Sequence, residues 1–103
     1  MKSGVRRMPK SIMQKDNNCF ICAKLGFDSE GQERHHAIHG VANRRLADED
    51  GLTVMLCKYH HTRLHDKGEW DRELQKEAQT RWMEYYERSV DEFRKRYGKS
   101  YLE

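Results

Sequence analysis

Residues 56–66 read Leu56-Cys57-Lys58-Tyr59-His60-His61-Thr62-Arg63-Leu64-His65-Asp66. Four metal-binding side chains, Cys57, His60, His61 and His65, fall inside this stretch, in a chain with 3 Cys and 6 His in all. His61 and His65 stand four apart. On a helix that spacing puts both imidazoles on one face, a turn apart, where they can share an ion. Cys57 and His60 have the C-x2-H spacing of a zinc knuckle, and Cys19-Phe20-Ile21-Cys22 upstream supplies the matching C-x2-C. One short helix is therefore expected to serve two metal ions. The adjacent pair His35-His36 is the natural complement of the second.

Composition agrees with a metal-stapled domain. At 103 residues, with 36% hydrophobic and 36% charged, the chain can bury only a modest core. Three cysteines in this spacing point to zinc in a reducing compartment rather than to disulfides. The sequence contains no apolar run approaching the ~20 residues needed to span a bilayer, nor an N-terminal apolar core of signal-peptide length. The expected address is the cytoplasm. Net charge is +3 but uneven: residues 1–15 carry Lys2, Arg6, Arg7, Lys10 and Lys15 and no acid, and the rest sums to −2. Such an arm either follows a phosphate backbone or merely solubilises the chain.

Working outward from the metal stretch, Gly51 to Leu56 reads as the clearest strand, β-branched and apolar, and Lys58 to Asp66 as a helix that Lys67-Gly68 ends. Gln32 to His39 reads as a short strand. Gly40 to Asp50 reads as a polar loop with a helical turn near Arg44–Ala47. Residues 1–17 read as a flexible basic arm and Cys19 to Gly26 as a tight knuckle. Leu74, Ala78, Trp82, Tyr85, Ser89, Phe93 and Tyr97 recur every three or four residues, which predicts one long amphipathic helix from Trp70 or Asp71 to Tyr97, stopped by Gly98. Such a helix is long for so small a body, so it either breaks near Ser89 or packs its far half on a partner. The division is thus 1–17 arm, 18–69 zinc-bound domain, and 70–103 C-terminal helix and tail.

The first constellation, Cys19, Cys22, Cys57 and His60, suits zinc: thiolates and an imidazole close a tetrahedral structural site with no open position. Taking His60 for this site leaves His61 in register with His65. The second constellation is His35, His36, His61 and His65. Three neutral imidazoles can hold one divalent ion with positions left open, and a fourth can act as a base near neutral pH.

A histidine pair ending a strand, a loop, a second strand ending in Leu-Cys, and a helix with H-x3-H resembles the ββα-metal or HNH (His-Me finger) nucleases. The HH…H-x3-H set is similar to that of the nuclease colicins, and the C-x2-C…C-x2-H frame to zinc-bound HNH proteins of phages and bacteria. The resemblance covers roughly Cys19 to Asp66. It implies an α+β fold: a small zinc-stapled ββα-metal domain followed by the long C-terminal helix. It also implies roles. His36 would be the general base taking a proton from the attacking water. His35, His61 and His65 would hold a catalytic divalent ion (Mg2+, Mn2+, Ni2+ or Zn2+) that stabilises the phosphate and the leaving 3′ oxygen, giving 5′-phosphate and 3′-hydroxyl ends. The family's middle asparagine is absent before the second strand, where Gly51 and Leu52 stand; Asn43 either orients the base from the loop or is an ordinary loop residue. Lys58, Arg44, Arg45 and Arg63 flank the site and could contact DNA. His39 is a spare, expected to be exposed. Asp48, Glu49 and Asp50 form an acidic patch, expected to face solvent, though one could set a hydrogen bond behind a ligand.

Two function classes follow. One is a metal-dependent DNA endonuclease. The other is a zinc-stabilised DNA-binding or adaptor module without cleavage. Either fits a bacterial cell and a phage or mobile-element setting, where the C-terminal helix would dock on a packaging or recombination protein.

Overall fold

The computed structural model describes residues 10–102. It is an α+β fold. A two-stranded antiparallel sheet, β1 (Glu33–His36) and β2 (Thr53–Leu56), is flanked by α1 (Phe20–Lys24), α2 (Val41–Asp50), α3 (Lys58–Lys67), α4 (Asp71–Tyr86) and α5 (Val90–Tyr97). The register pairs Glu33 with Leu56, Arg34 with Met55, His35 with Val54 and His36 with Thr53.

Alternation along β1 positions the site. Side chains two apart share a sheet face. Glu33 and His35 reach α3: Glu33 bonds His61, and the His35 ring packs on those of His61 and His65. Arg34 and His36 reach α2, where both bond Asp48.

Three expectations are corrected and one alternative is decided. The segment 40–50, expected as a loop, is the ten-residue helix α2. Its inner face carries Asn43, Leu46, Ala47 and Asp50 at helical spacing; two polar residues among the four hid the amphipathic pattern. Gly51 ends α2 at φ 79°, and a Cβ there would lie 2.5 Å from the Lys10 carbonyl. Conformation and close approach together require glycine.

Order also begins before Asn17. Ser11 Oγ donates to the Thr53 carbonyl at 2.5 Å, and Met55 N–H donates to Gln14 Oε1 at 2.5 Å. The 10–17 segment thus satisfies the edge of β2 that β1 leaves open. Met13 is only 2% exposed. Of the expected arm, residues 1–9 lie outside the described residues.

Of the two alternatives for the long C-terminal helix, the break near Ser89 is the one found: it is two helices. Glu87 takes φ 54° and ends α4; Ser89 caps α5 in a reciprocal capping box with Glu92. The break folds α5 back. Phe93 and Tyr97 then join Trp82, Leu74 and Ala78 in the same buried cluster as Leu52, Val54 and Leu56.

The acidic patch is no patch either. Asp50 is 8% exposed, and its carboxylate accepts from Trp82 Nε1 (2.8 Å), the Tyr97 hydroxyl (2.7 Å) and Arg96 Nε (2.6 Å). It pins α2 to both C-terminal helices.

No helix among the described residues is long and apolar enough to cross a membrane.

Candidate metal centres and the histidine groove

The first centre is set by two turns that face each other. Cys19 caps α1 and Cys22 lies in its first turn, while Cys57 caps α3 and His60 lies in its first turn. The four donor atoms lie within 4.8 Å of one another. His60 Nδ1 stands 3.4 Å from Cys22 Sγ, 3.4 Å from Cys57 Sγ and 3.8 Å from Cys19 Sγ; Cys22 and Cys57 sulfurs are 3.9 Å apart. Tetrahedral zinc, with bonds of about 2.3 Å to sulfur and about 2.0–2.1 Å to nitrogen, would set these edges near ~3.5 and ~3.8 Å. The Cys3His cluster therefore has the donors and dimensions to hold a metal ion such as zinc.

Its acid–base character points the same way. Burial pushes the Cys19 thiol up, but hydrogen bonds from the Cys22 and Cys57 backbone and from His60 outweigh it and bring the thiol down to about 7. Burial, then the Cys19 and Cys57 sulfurs, push Cys22 up to about 11. Packed sulfurs resist joint ionisation unless a cation neutralises them.

The second centre lies across α3. His61 and His65, one turn apart, bring their Nε2 atoms to 3.0 Å. Two imidazole nitrogens on one ion at about 2.0–2.1 Å would stand about 2.9–3.4 Å apart. His61 Nδ1–H donates to Glu33 Oε1, which leaves Nε2 as the free donor. The bond holds the Glu33 carboxyl below its ordinary range. A carboxylate behind a ligating histidine orients the ring and fixes its tautomer.

His35 completes the set. It is 4% exposed, and its Nε2 has no hydrogen-bond partner among the described residues. A buried polar atom without a partner costs about 1–3 kcal/mol and calls for an explanation. Here the explanation stands next to it: donor atoms of His35, His61 and His65 lie within 4.8 Å of one another. Burial, reinforced by the neighbouring His39, His61 and His65, lowers the His35 imidazole to about 3. It is neutral at physiological pH, the form that ligates metals.

His36, on the other face of β1, donates from Nε2–H to Asp48 Oδ1 at 2.9 Å. Arg34 shares that oxygen. Burial pushes the Asp48 carboxyl up, but the His36 and Arg34 hydrogen bonds outweigh it and hold it below its ordinary range. His36 is the last residue of β1, so it still reaches the open groove of about 560 Å³ lined by His35, His39, His61, His65 and Arg44.

The remaining candidates divide. Arg44 lines the groove. Arg45 pairs with Glu49 at 3.0 Å, and Arg63 forms a two-pronged pair with Glu69 at 2.8 and 2.6 Å. Lys58 is exposed in the first turn of α3. Asn43 is not placed to orient His36, which Asp48 holds. Its amide donates to the carbonyls of His39 (2.9 Å) and Tyr97 (3.3 Å), bracing the β1–α2 connection on α5.

Sequence reading missed Glu33 and Asp71, and had Asp48 only as one of three acids, any of which could stand behind a ligand. Glu33 was findable, since it stands two before His35 on a strand and so shares its face. Asp48 required knowing that 41–50 is helical. Asp71, which accepts from His39 Nε2 at 2.5 Å, comes from 32 residues away and left no local signal.

Compared with protein-family models, curated proteins and solved structures, the chain gives no match, so the site's own geometry carries the functional argument.

Proposed function

We propose that this chain is a metal-dependent DNA endonuclease of the HNH (ββα-metal) type that hydrolyses phosphodiester bonds. One juxtaposition supports the reading: the imidazoles of His35, His61 and His65 converge around an unpartnered buried nitrogen, and a fourth imidazole, held by a carboxylate, reaches the same groove.

Phosphodiester hydrolysis needs an activated water on one side of phosphorus and charge neutralisation on the other. Asp48 accepts from His36 Nε2–H and so fixes the tautomer that keeps a lone pair on Nδ1. That nitrogen takes the proton from water. His35, His61 and His65 would hold a divalent ion, which would supply Lewis-acid charge for the phosphate and the departing 3′ oxygen. Glu33 keeps His61 turned to present Nε2. Arg44, at the groove, meets a flanking phosphate. Lys58 extends the contact, and Arg45 and Arg63 join it only where Glu49 and Glu69 release them. The Cys3His zinc is structural. The phage or mobile-element setting, with a packaging or recombination partner, belongs to the same proposal.

The test is conversion of supercoiled plasmid by zinc-loaded protein in Mg2+, Mn2+, Ni2+ or Zn2+, run beside His36→Ala. The expected result is nicking with at least one ion and a loss of about 10²-fold or more in the variant. Folded, zinc-loaded protein that binds DNA but cuts under no condition is the adaptor module instead.

A further inference from the structure

His35 belongs to two three-ligand groups. One is His35, His61 and His65; the other is His35, His39 and Asp71, again with donor atoms within 4.8 Å of one another. The His35 ring centroid lies 5.3 Å from that of His61, 5.7 Å from His65 and 5.5 Å from His39, so it stands between the two sets. The second set is already drawn together, with His39 Nε2–H donating to Asp71 Oδ1 at 2.5 Å. An ion would take that proton's place.

We propose that the histidine groove offers a divalent ion two alternative positions pivoting on His35: an all-imidazole one with His61 and His65, and a mixed one with His39 and Asp71. This rests on the reading that the groove binds a divalent ion. One neutral imidazole nitrogen gives one lone pair to one ion, and bridging two ions would require deprotonating the His35 ring. The two positions therefore exclude each other.

The donor sets differ in chemistry. Three imidazoles suit nickel or zinc, whereas two imidazoles and a carboxylate form a set with more room for oxygen-preferring ions such as manganese. Ion identity then selects the position. Asp71 is the first residue of α4. An ion in the mixed position consequently ties α4 to the end of β1, and one in the all-imidazole position does not.

The experiment measures Ni2+ and Mn2+ affinity of the zinc-loaded full chain, by calorimetry for nickel and by the electron paramagnetic resonance of free manganese. Wild type is compared with Asp71→Asn, His39→Gln and His65→Ala. We expect Asp71→Asn and His39→Gln each to weaken Mn2+ by about tenfold or more while Ni2+ stays within about twofold. His65→Ala should do the reverse. Unchanged Mn2+ affinity in both Asp71→Asn and His39→Gln overturns the mixed position. Equal weakening of both ions overturns it too, because Asp71 would then act behind a single site. Nickel affinity that survives His65→Ala undamaged removes the all-imidazole site, a failure of the underlying reading that is separable from the other two results.

Discussion

A carboxylate among aromatic rings is stable only when its lone pairs are used. Asp50 uses them on Trp82, Tyr97 and Arg96, and its backbone carbonyl accepts from the Tyr86 hydroxyl at 2.9 Å. Asp50→Ala would leave Trp82 Nε1 and the Tyr97 hydroxyl without their acceptor and Arg96 with Glu49 alone, so urea unfolding of zinc-loaded protein should show a loss of about 2–4 kcal/mol. Asp48→Asn, at a half-exposed carboxylate, should cost less than about 1 kcal/mol by the same measurement while lowering cleavage. In the sequence these two acids look alike. What separates them is a helical face just over half a turn away, and nothing local reports it. His35 gives a prediction in pH. Its folded value, about 3, lies below the ordinary 6.5, so the unfolded chain binds more protons between them. Stability therefore rises with pH across that window and is lost on acidification. In protein without added ion, the melting temperature of His35→Leu relative to wild type should increase as pH falls from 6.5 toward about 5, and stay level above 7. A pH-independent difference would mean that His35 is not held neutral by burial.

At the scale of elements, α5 is the informative case. Its N-terminus carries Ser89 and Glu92 in a reciprocal box, with Glu92 N–H to Ser89 Oγ at 3.1 Å and Ser89 N–H to Glu92 Oε1 at 2.8 Å. Ser89→Ala should cost about 1 kcal/mol. Truncation after Ser89 is a different matter, because it removes Phe93, Arg96 and Tyr97 from the core and from Asp50. The truncated chain should lose cooperative unfolding, read by Trp82 fluorescence; retention of a sharp transition would make α5 an accessory. Here the sequence was half legible. The stripe from Leu74 to Tyr97 was in view. A break near Ser89 was one of two readings, and nothing local chose it, because Glu87 adopts φ 54° without being glycine or asparagine. The β2 strand and α3 were legible because their apolar and metal-binding residues fall at simple periods. The α2 helix was not, since Asn43 and Asp50 occupy its inner face in place of apolar residues. The candidate site followed suit: its ligands were visible as spacings, but of the carboxylates bonded to its histidines only Glu33 lies beside them on β1, while Asp48 and Asp71 come from α2 and α4.

For the whole molecule, the Cys3His cluster joins α1 to α3, and its buried residues Cys19, Ile21 and Cys22 run into the same cluster as Leu56 and Phe93. Fully burying one such side chain is worth about 1.5–3 kcal/mol, and a domain of this size has only a modest core to spare. Chelation of zinc, or Cys57→Ser, should therefore abolish the near-ultraviolet circular dichroism signal of the folded chain rather than lower activity alone. Charge makes a second prediction at this scale. Arg44 faces the groove, so Arg44→Ala should weaken DNA binding across sequences and reduce the salt slope of log K by about 1. The central claim is that one helix, α3, presents ligands to two separate ions. Anomalous diffraction from crystals of zinc-loaded protein soaked in nickel tests it most directly. The account predicts a zinc peak among Cys19, Cys22, Cys57 and His60 and a distinct nickel peak bounded by His35, His61 and His65. Nickel bound elsewhere, or the three imidazoles turned away from one another around no ion, would contradict it.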